Sequence, residues 1–305
     1  MNQPRKPPRR RVDGVLLLDK PAGMTSNAAL QKARRLLNAA KAGHTGTLDP
    51  MATGLLPLCF GEATKFAGEL LAADKAYAAT LRLGVRTDTA DAEGQVLETR
   101  PVAVTYEQAE AVLGRFRGDI LQVPPMHSAL KRDGRPLYEY ARNGIEVERR
   151  PREVSIFSLV VRYFKGDRLE FDVDCSKGTY VRSLAQDIGE ALGCGAHLIA
   201  LRRTRIGRLR LDEAVTLEAL EALLPEARDD LLQPADALLA GLPQLVLDEA
   251  AARRFSHGQP VRGPAGVPAG RLRVYADDGR FFGLGTLTPD GLVTPARLVT
   301  AGIEK

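Results

Sequence analysis

Strand-like alternation and helix-like spacing of apolar positions take turns along this chain without a regular order. Val12–Leu18 is an apolar, β-prone run that stops at the turn sequence Asp19-Lys20-Pro21-Ala22-Gly23. Thr25 or Ser26 can cap a helix running to about Asn38, with Leu30, Ala33, Leu36 and Leu37 on one face. Leu55–Phe60 predicts a short strand, Glu62–Ala73 a helix, and Lys75–Leu83 an alternating strand. The polar segment Gly84–Gly94 reads as a loop before a strand at Gln95–Thr99, and Thr105–Phe116 as a helix opened by a Thr cap. After the break at Val123-Pro124-Pro125, Met126–Leu130 predicts a strand and Lys131–Gly134 a turn. Pro136 then sits in the first turn of a helix ending near Asn143-Gly144. Val154–Phe164 and Arg168–Cys175 read as paired strands. A helix from about Tyr180 to Leu192, strands through His197–Leu211 and helical pieces over Leu217–Leu239 follow.

Strands in consecutive runs, without regular βαβ alternation, point to an α+β fold with a mixed, mostly antiparallel sheet. The style changes after Gly241-Leu242-Pro243. One short helix around Asp248–Phe255 precedes Gly- and Pro-rich turns and short strands at Arg271–Ala276, Phe281–Leu287 and Leu292–Leu298. The expected organisation is a flexible basic tail over 1–11, a main domain over 12–240 and a small β-barrel-like module over 241–305. By its order of elements the module resembles a PUA-type RNA-binding domain; the alternative is a β subdomain that only packs against the body.

With 305 residues, 44% hydrophobic and 27% charged, the chain is of ordinary globular composition and long enough for a large domain plus a small one. No run approaches the roughly 18 apolar residues that span a bilayer, and VLLLDKP is too short and too charged for a secretion signal. Net charge is +5, but Arg5, Lys6, Arg9, Arg10 and Arg11 carry all of it; the remaining 38 basic residues balance 38 acidic ones. Local clusters say more about partners. Arg202, Arg203, Arg205, Arg208 and Arg210 form one; Lys131, Arg132 and Arg135 a second; Arg149, Arg150 and Arg152 a third. Such strips suit a phosphate backbone. Cys59, Cys175 and Cys194 are odd in number and far apart, and the four histidines are scattered. Neither a metal site nor a disulfide framework is expected, and a reducing cytoplasm fits.

The candidate chemistry lies in Gly43–Leu58, GHTGTLDPMATGLLPL. One acid, Asp49, stands there among glycines, threonines and a histidine, and Pro50 holds it extended. A lone carboxylate on a shaped loop is a candidate nucleophile or base. This segment resembles the catalytic signature of the TruB family of tRNA pseudouridine synthases. Four further segments do so in order: Asp19–Ser26, Lys75-Ala76-Tyr77, Pro124-Pro125-Met126-His127-Ser128-Ala129-Leu130-Lys131, and Gly178-Thr179-Tyr180-Val181-Arg182-Ser183-Leu184. Together they cover about residues 12–240.

The resemblance implies isomerisation of uridine 55 in the tRNA T-loop, with no cofactor and no metal. It implies that Asp49 is the essential aspartate, Arg182 the arginine paired with it, and Tyr77 the tyrosine that covers the target base and is a candidate for proton transfer. His44 would fill the stack left by the extruded base. Leu201 would line the uracil pocket, though plain core is an equal reading of it. Tyr180 would stack near the pocket or support Arg182. Lys20 would serve structure or RNA contact. At His127 the chain departs from the aromatic residue associated with the family's Pro-Pro segment, which leaves that residue's role open. The expected partner is the T-arm of tRNA, the expected state a monomer.

Two other readings compete. A hydrolase or phosphotransferase using Asp49 needs a second carboxylate or a phosphate loop nearby, and no acid lies within ten residues of Asp49 on either side. A tRNA-binding or RNA-folding protein without chemistry fits the basic clusters equally well; the Asp49, Arg182 and Tyr77 set argues against it.

Overall fold

The computed structural model describes residues 8–128 and 130–300. Strand β1 (Gly14–Lys20) leads into helix α1 (Ser26–Leu36), which Thr25 caps by accepting from the Ala28 N–H. β2 (Ala42–His44) and β3 (Thr53–Phe60) follow, joined by the Asp49 loop. The expected helix over Glu62–Ala73 is instead a 3₁₀ segment, Gly61–Phe66, running into the short α2 (Ala67–Leu71). β4 (Lys75–Leu83) enters the sheet, and β5 (Val85–Thr87), inside the stretch read as loop, pairs with β6 (Val96–Thr99), where a strand is expected, as a separate hairpin. α3 (Tyr106–Gly114) opens on a capping box between Thr105 and Gln108. β7 (Gly118–Gln122) is followed by a two-residue hairpin of β8 (Lys131–Arg132) and β9 (Arg135–Pro136), then α4 (Leu137–Arg142). The hairpin turn needs positive φ at both central positions, which Asp133 and Gly134 supply.

The strand expected over Met126–Leu130 is absent among its described residues. Met126–Ser128 form bends, and the carbonyls of Met126, His127 and Ser128 bond to Ser128, Arg182 and Tyr138 rather than to a neighbouring strand. β10 (Arg152–Lys165), β11 (Arg168–Cys175), α5 (Val181–Ala191), β12 (Ala196–Ile206), β13 (Leu209–Arg210), β14 (Val215–Thr216) and α6 (Leu217–Ala222) complete the body.

Ten strands form one sheet in the order β14-β1-β3-β12-β4-β11-β10-β7, with β2 on β3 and β13 on β12. Only β1–β14 and β3–β12 are parallel in it, so the sheet is mixed and mostly antiparallel. Alternation along β1 shows how it is buried on both faces. Leu16 and Leu18 join the core under α1, α5 and α6, while Val15 and Leu17 join a second core on the opposite face.

That second face is covered by the 3₁₀ segment and by a five-stranded sheet. The latter comprises β15 (Gln244–Leu247), β16 (Val261–Arg262), β17 (Gly270–Ala276), β18 (Phe281–Leu287) and β19 (Leu292–Leu298), with α7 (Glu249–Ser256) beside it. It has its own core around Phe255. Phe281 reaches across to Phe66, ring centroids 5.6 Å apart. Burying Phe66 is worth about 1.5–3 kcal/mol, against under about 1 kcal/mol for the exposed Arg271–Glu69 pair nearby. Apolar packing therefore dominates this junction.

The segment read as a flexible tail is held in place from Arg10 onward. The Arg10 N–H donates to Asn38 O at 2.9 Å, and its guanidinium pairs with Asp229 at 2.5 Å. Residues 1–7 of that reading lie outside the described residues. No helix among the described residues is long and apolar enough to cross a membrane.

Candidate active site

The Asp49 loop is built from both sides. The Ser26 hydroxyl, at the start of α1, donates to Leu48 O at 3.0 Å and accepts from Leu48 N–H at 2.8 Å. Lys20, at the end of β1, is fully buried, and its ammonium donates to the carbonyls of Pro21 (2.8 Å), Met24 (2.6 Å) and Pro50 (3.3 Å). An ammonium has three donors, so all are taken within the protein. The geometry gives Lys20 the structural role and leaves no N–H for RNA. Burial pulls its pKa down to about 8, opposed by the field of Asp49. The Gly23 N–H also bonds Pro50 O, at 2.9 Å. The residues on either side of Asp49 are thus pinned, and its carboxylate is left half-exposed.

Arg182 meets that carboxylate from the first turn of α5, with Nε 3.0 Å from Asp49 Oδ2. Its Nη2 donates to His127 O at 2.7 Å and its Nη1 lies 3.4 Å from Asp91 Oδ2. The Arg182 side chain is 7% exposed and that of Asp91 4%, so these two form a buried ion pair, with the half-exposed Asp49 as the third member at its edge. Asp91 is in turn fixed by the Thr89 hydroxyl at 2.6 Å and the Glu93 N–H at 3.1 Å, both on its Oδ1. His127 contributes its backbone carbonyl.

Sequence reading missed Asp91. No acid is near Asp49 along the chain, yet the β5–β6 hairpin brings one within reach of the same arginine. The one visible signal was the polar density of Thr87-Asp88-Thr89-Ala90-Asp91. Burial raises the Asp49 pKa from the ordinary carboxylate range; Arg182 opposes this and Asp91 adds to it. Asp91→Asn is expected to leave the fold intact but to free Arg182 to shift. A misplacement on the ångström scale costs on the order of 10²-fold in rate, and single-turnover kinetics on tRNA would measure it.

Tyr77 lies on β4, buried, opposite Arg203 of β12 and Val173 of β11. Leu201 pairs with Ala79 in the same register, so Leu201 and Tyr77 share a face of the sheet. His44 ends β2 at the start of the loop. Its buried Nδ1 has no hydrogen-bond partner among the described residues, and burial, then Arg203, holds its pKa below the usual value. Both effects favour the neutral ring. Tyr180 immediately precedes α5, and Gln122 fixes its backbone with bonds to Tyr180 N–H (2.7 Å) and O (3.1 Å). This aims the helix that carries Arg182.

The first arginine cluster is divided, and its Arg203 cannot serve a phosphate strip; Arg208 stays exposed. Arg202 pairs with Asp19 at 2.6 Å, Arg205 with Asp174 at 2.5 Å, and Arg210 with Asp212 at 3.3 Å, while Arg203 is fully buried. The second and third clusters do come together. Lys131, Arg132, Arg149, Arg150 and Arg152, though not Arg135, line one cleft of about 340 Å³ with Pro124, Leu130, Leu137 and one acid, Glu148. Among the described residues no group of three or more His, Cys, Asp or Glu side chains could hold a metal ion.

Three family descriptions tile most of the chain: TruB family pseudouridylate synthase (N terminal domain) over residues 34–181, tRNA pseudouridylate synthase B C-terminal domain over 182–240, and Pseudouridine synthase II TruB, C-terminal over 243–299. The tRNA pseudouridine synthase B of Dechloromonas aromatica is 62% identical over 290 residues, covering 95% of this chain and 96% of that one. That of Stutzerimonas stutzeri is 59% identical, covering 95% and 97%. Among solved structures, a Cbf5-Nop10-Gar1 complex contains a chain with TM-score 0.72 at 30% identity, matched over 90% of this chain and 78% of that one. An H/ACA RNP bound to a substrate RNA containing 2'-deoxyuridine gives 0.73 at 27%, over 94% and 84%. With that likeness running through sheet, loop and C-terminal module alike, the chain belongs to the TruB family and is a pseudouridine synthase.

Proposed function

We propose that this enzyme converts uridine to pseudouridine at position 55 in the T-loop of tRNA, with Asp49 as the reacting carboxylate. The observation that carries this reading is the buried Arg182, which aims Asp49 while Asp91 and His127 O hold Arg182 itself. The relatives named tRNA pseudouridine synthase B support tRNA as the substrate.

The reaction breaks the bond between ribose and uracil N1, turns the base, and rejoins it through C5. Asp49, whose charged form Arg182 favours against the opposing effect of burial, attacks the sugar or the base or takes up a proton, and is released at the end. The target uridine must leave its stack to reach this floor. Tyr77 lies against the flipped base, Leu201 lines its apolar side, and Tyr180 closes the pocket beside Arg182. His44, flat and neutral, fills the vacated stack; an imidazolium there would add a desolvation penalty. Water must be kept from the open glycosyl centre, since hydrolysis is the competing outcome. No metal or cofactor takes part.

The basic cleft of Lys131, Arg132, Arg149, Arg150 and Arg152 tracks the phosphates of the T-arm, and the C-terminal module, PUA-like in element order, holds the tRNA at a second place. The enzyme acts as a monomer in the cytoplasm. Replacing Lys131, Arg132 and Arg150 together by Gln is expected to weaken tRNA binding for all sequences alike. The slope of log affinity against log salt should become shallower by about one unit for each phosphate deprived of its cation. Filter binding at several salt concentrations measures both.

The site of modification is tested on tRNA transcripts by carbodiimide labelling of pseudouridine and reverse transcription. A single new stop at T-loop position 55 is expected. A stop elsewhere, with position 55 clear, contradicts the assignment.

A further inference from the structure

Helix α5 carries Arg182 in its first turn, yet the helix start has no cap of its own. The residue at the cap position is Tyr180, whose side chain makes no capping hydrogen bond, and the first turn holds no acid. A Ser, Thr, Asp or Asn there would satisfy one of the orphan N–H groups of that turn. What holds this end comes from outside the helix. The Gln122 side chain, at the end of β7 and 2% exposed, accepts from Tyr180 N–H at 2.7 Å and donates to Tyr180 O at 3.1 Å. An N–H only donates and a carbonyl only accepts, so a single orientation of the amide makes both bonds. Tyr180 O also receives the Leu184 N–H at 3.0 Å, the first bond of the helical ladder.

The hold extends along both chains. Ser183 Oγ donates to Val123 O at 3.0 Å, and Arg182 Nη2 to His127 O at 2.7 Å. Tyr180, Arg182 and Ser183 are therefore all bonded to one segment, residues 122–127. That segment is anchored in turn. Gln122 stands opposite Arg152 of β10 in the antiparallel register, and Pro124 O accepts from Arg149 at 3.1 Å. The Arg182 guanidinium lies at the far end of a long side chain. A small turn of the helix start becomes a larger shift at Nε, which stands 3.0 Å from Asp49 Oδ2. Two bonds to one residue resist that turn, where a single bond would act as a pivot.

We propose that Gln122 is a positioning residue for the isomerisation: its amide fixes the uncapped start of α5 and, together with the Ser183 bond to Val123 O, sets the direction from which Arg182 meets Asp49. This rests on the proposed function above. Gln122 acts through the Tyr180 backbone and Arg182, not on the RNA.

The test is a double-mutant cycle of Gln122→Met and Arg182→Lys in the full-length protein, read by single-turnover isomerisation at saturating tRNA and by tRNA filter binding. Methionine keeps the length of the side chain, cannot donate to Tyr180 O and is at most a weak acceptor. Gln122→Met is expected to slow turnover on the order of 10- to 100-fold, with tRNA affinity within a few-fold of wild type. In the Arg182→Lys background the same change should add almost nothing to the rate loss, because the guanidinium it directs is gone. A residue that only stabilises the fold would lower the melting temperature and leave the single-turnover rate alone. That result, an equal loss of rate in both backgrounds, or a loss confined to affinity overturns the proposal. Should Gln122→Met not fold, Ser183→Ala decides, since it removes the neighbouring bond to Val123 O: slower turnover at unchanged affinity supports the proposal and wild-type turnover overturns it. Inactivity of the wild-type protein itself would remove the proposed function and this inference with it; wild-type activity with full-rate variants removes only the inference.

Discussion

Asp49→Asn is expected to reduce isomerisation by at least about 10⁴-fold, the scale seen when a reacting side chain is removed, while tRNA binding stays within a few-fold of wild type. The amide keeps the shape of the carboxylate and its place beside Arg182, but it neither attacks nor takes up a proton. The same substitution carries a stability signature. Burial raises the Asp49 pKa in the folded protein above its unfolded value, so the folded state binds that proton more tightly. Its contribution is therefore present at low pH and lost as pH rises through the raised pKa. Above that raised pKa Asp49→Asn should be no less stable than wild type, and this relative gain should shrink as pH falls toward the carboxylate range. For the wild type, the acid limb of the rate profile should lie above the ordinary Asp value near ~3.9. Melting curves and single-turnover rates across pH check both signs.

Arg182→Met carries the second large effect, and here stability and rate fall together. The substitution keeps much of the side-chain volume but leaves Asp91 buried and facing Asp49 with no cation between them. Removing one member of a buried ion pair costs about 3–5 kcal/mol. The His127 carbonyl loses its 2.7 Å donor as well. Activity should fall at least as far as in Asp91→Asn, and the melting temperature should drop by several degrees, unlike that of Asp49→Asn. Arg182→Lys should recover part of the stability and little of the rate, because one ammonium cannot span Asp49, Asp91 and the carbonyl in the arginine's geometry. Equal stability of Arg182→Met and wild type would contradict the buried Arg182–Asp91 pair.

How much of this is visible in the sequence depends on whether neighbours in space are neighbours along the chain. Asp49 and Arg182 stand in contiguous segments whose residue types announce a shaped loop and a helix start, and the fold brings the two segments together. The strands β4, β10, β11, β18 and β19 and the Thr25 and Thr105 caps are legible because alternation and capping are local. Asp91 is not, since its importance lies in a hairpin that places it on the far side of Arg182. Arg203 reads in the sequence as part of a phosphate strip, and the structure corrects this. A run of arginines on an alternating strand looks the same whether the strand is at an edge or central, and only the pairing with Gly54 and Tyr77 shows that it is central. Met126–Ser128 resembles a strand by composition, but one of its carbonyls is needed by Arg182. Arg10 looks like tail because its partner, Asp229, lies near the other end of the main sheet's sequence.

The central claim is that a single directed carboxylate, Asp49, isomerises uridine in tRNA. Its most direct test is tritium release from tRNA labelled at uridine C5, because forming the new carbon bond must expel that hydrogen. Wild-type protein should release one tritium per T-loop target and Asp49→Asn none, with both binding the tRNA. Release by a folded Asp49→Asn protein at a rate near wild type, or none by either protein despite tight binding, would contradict it.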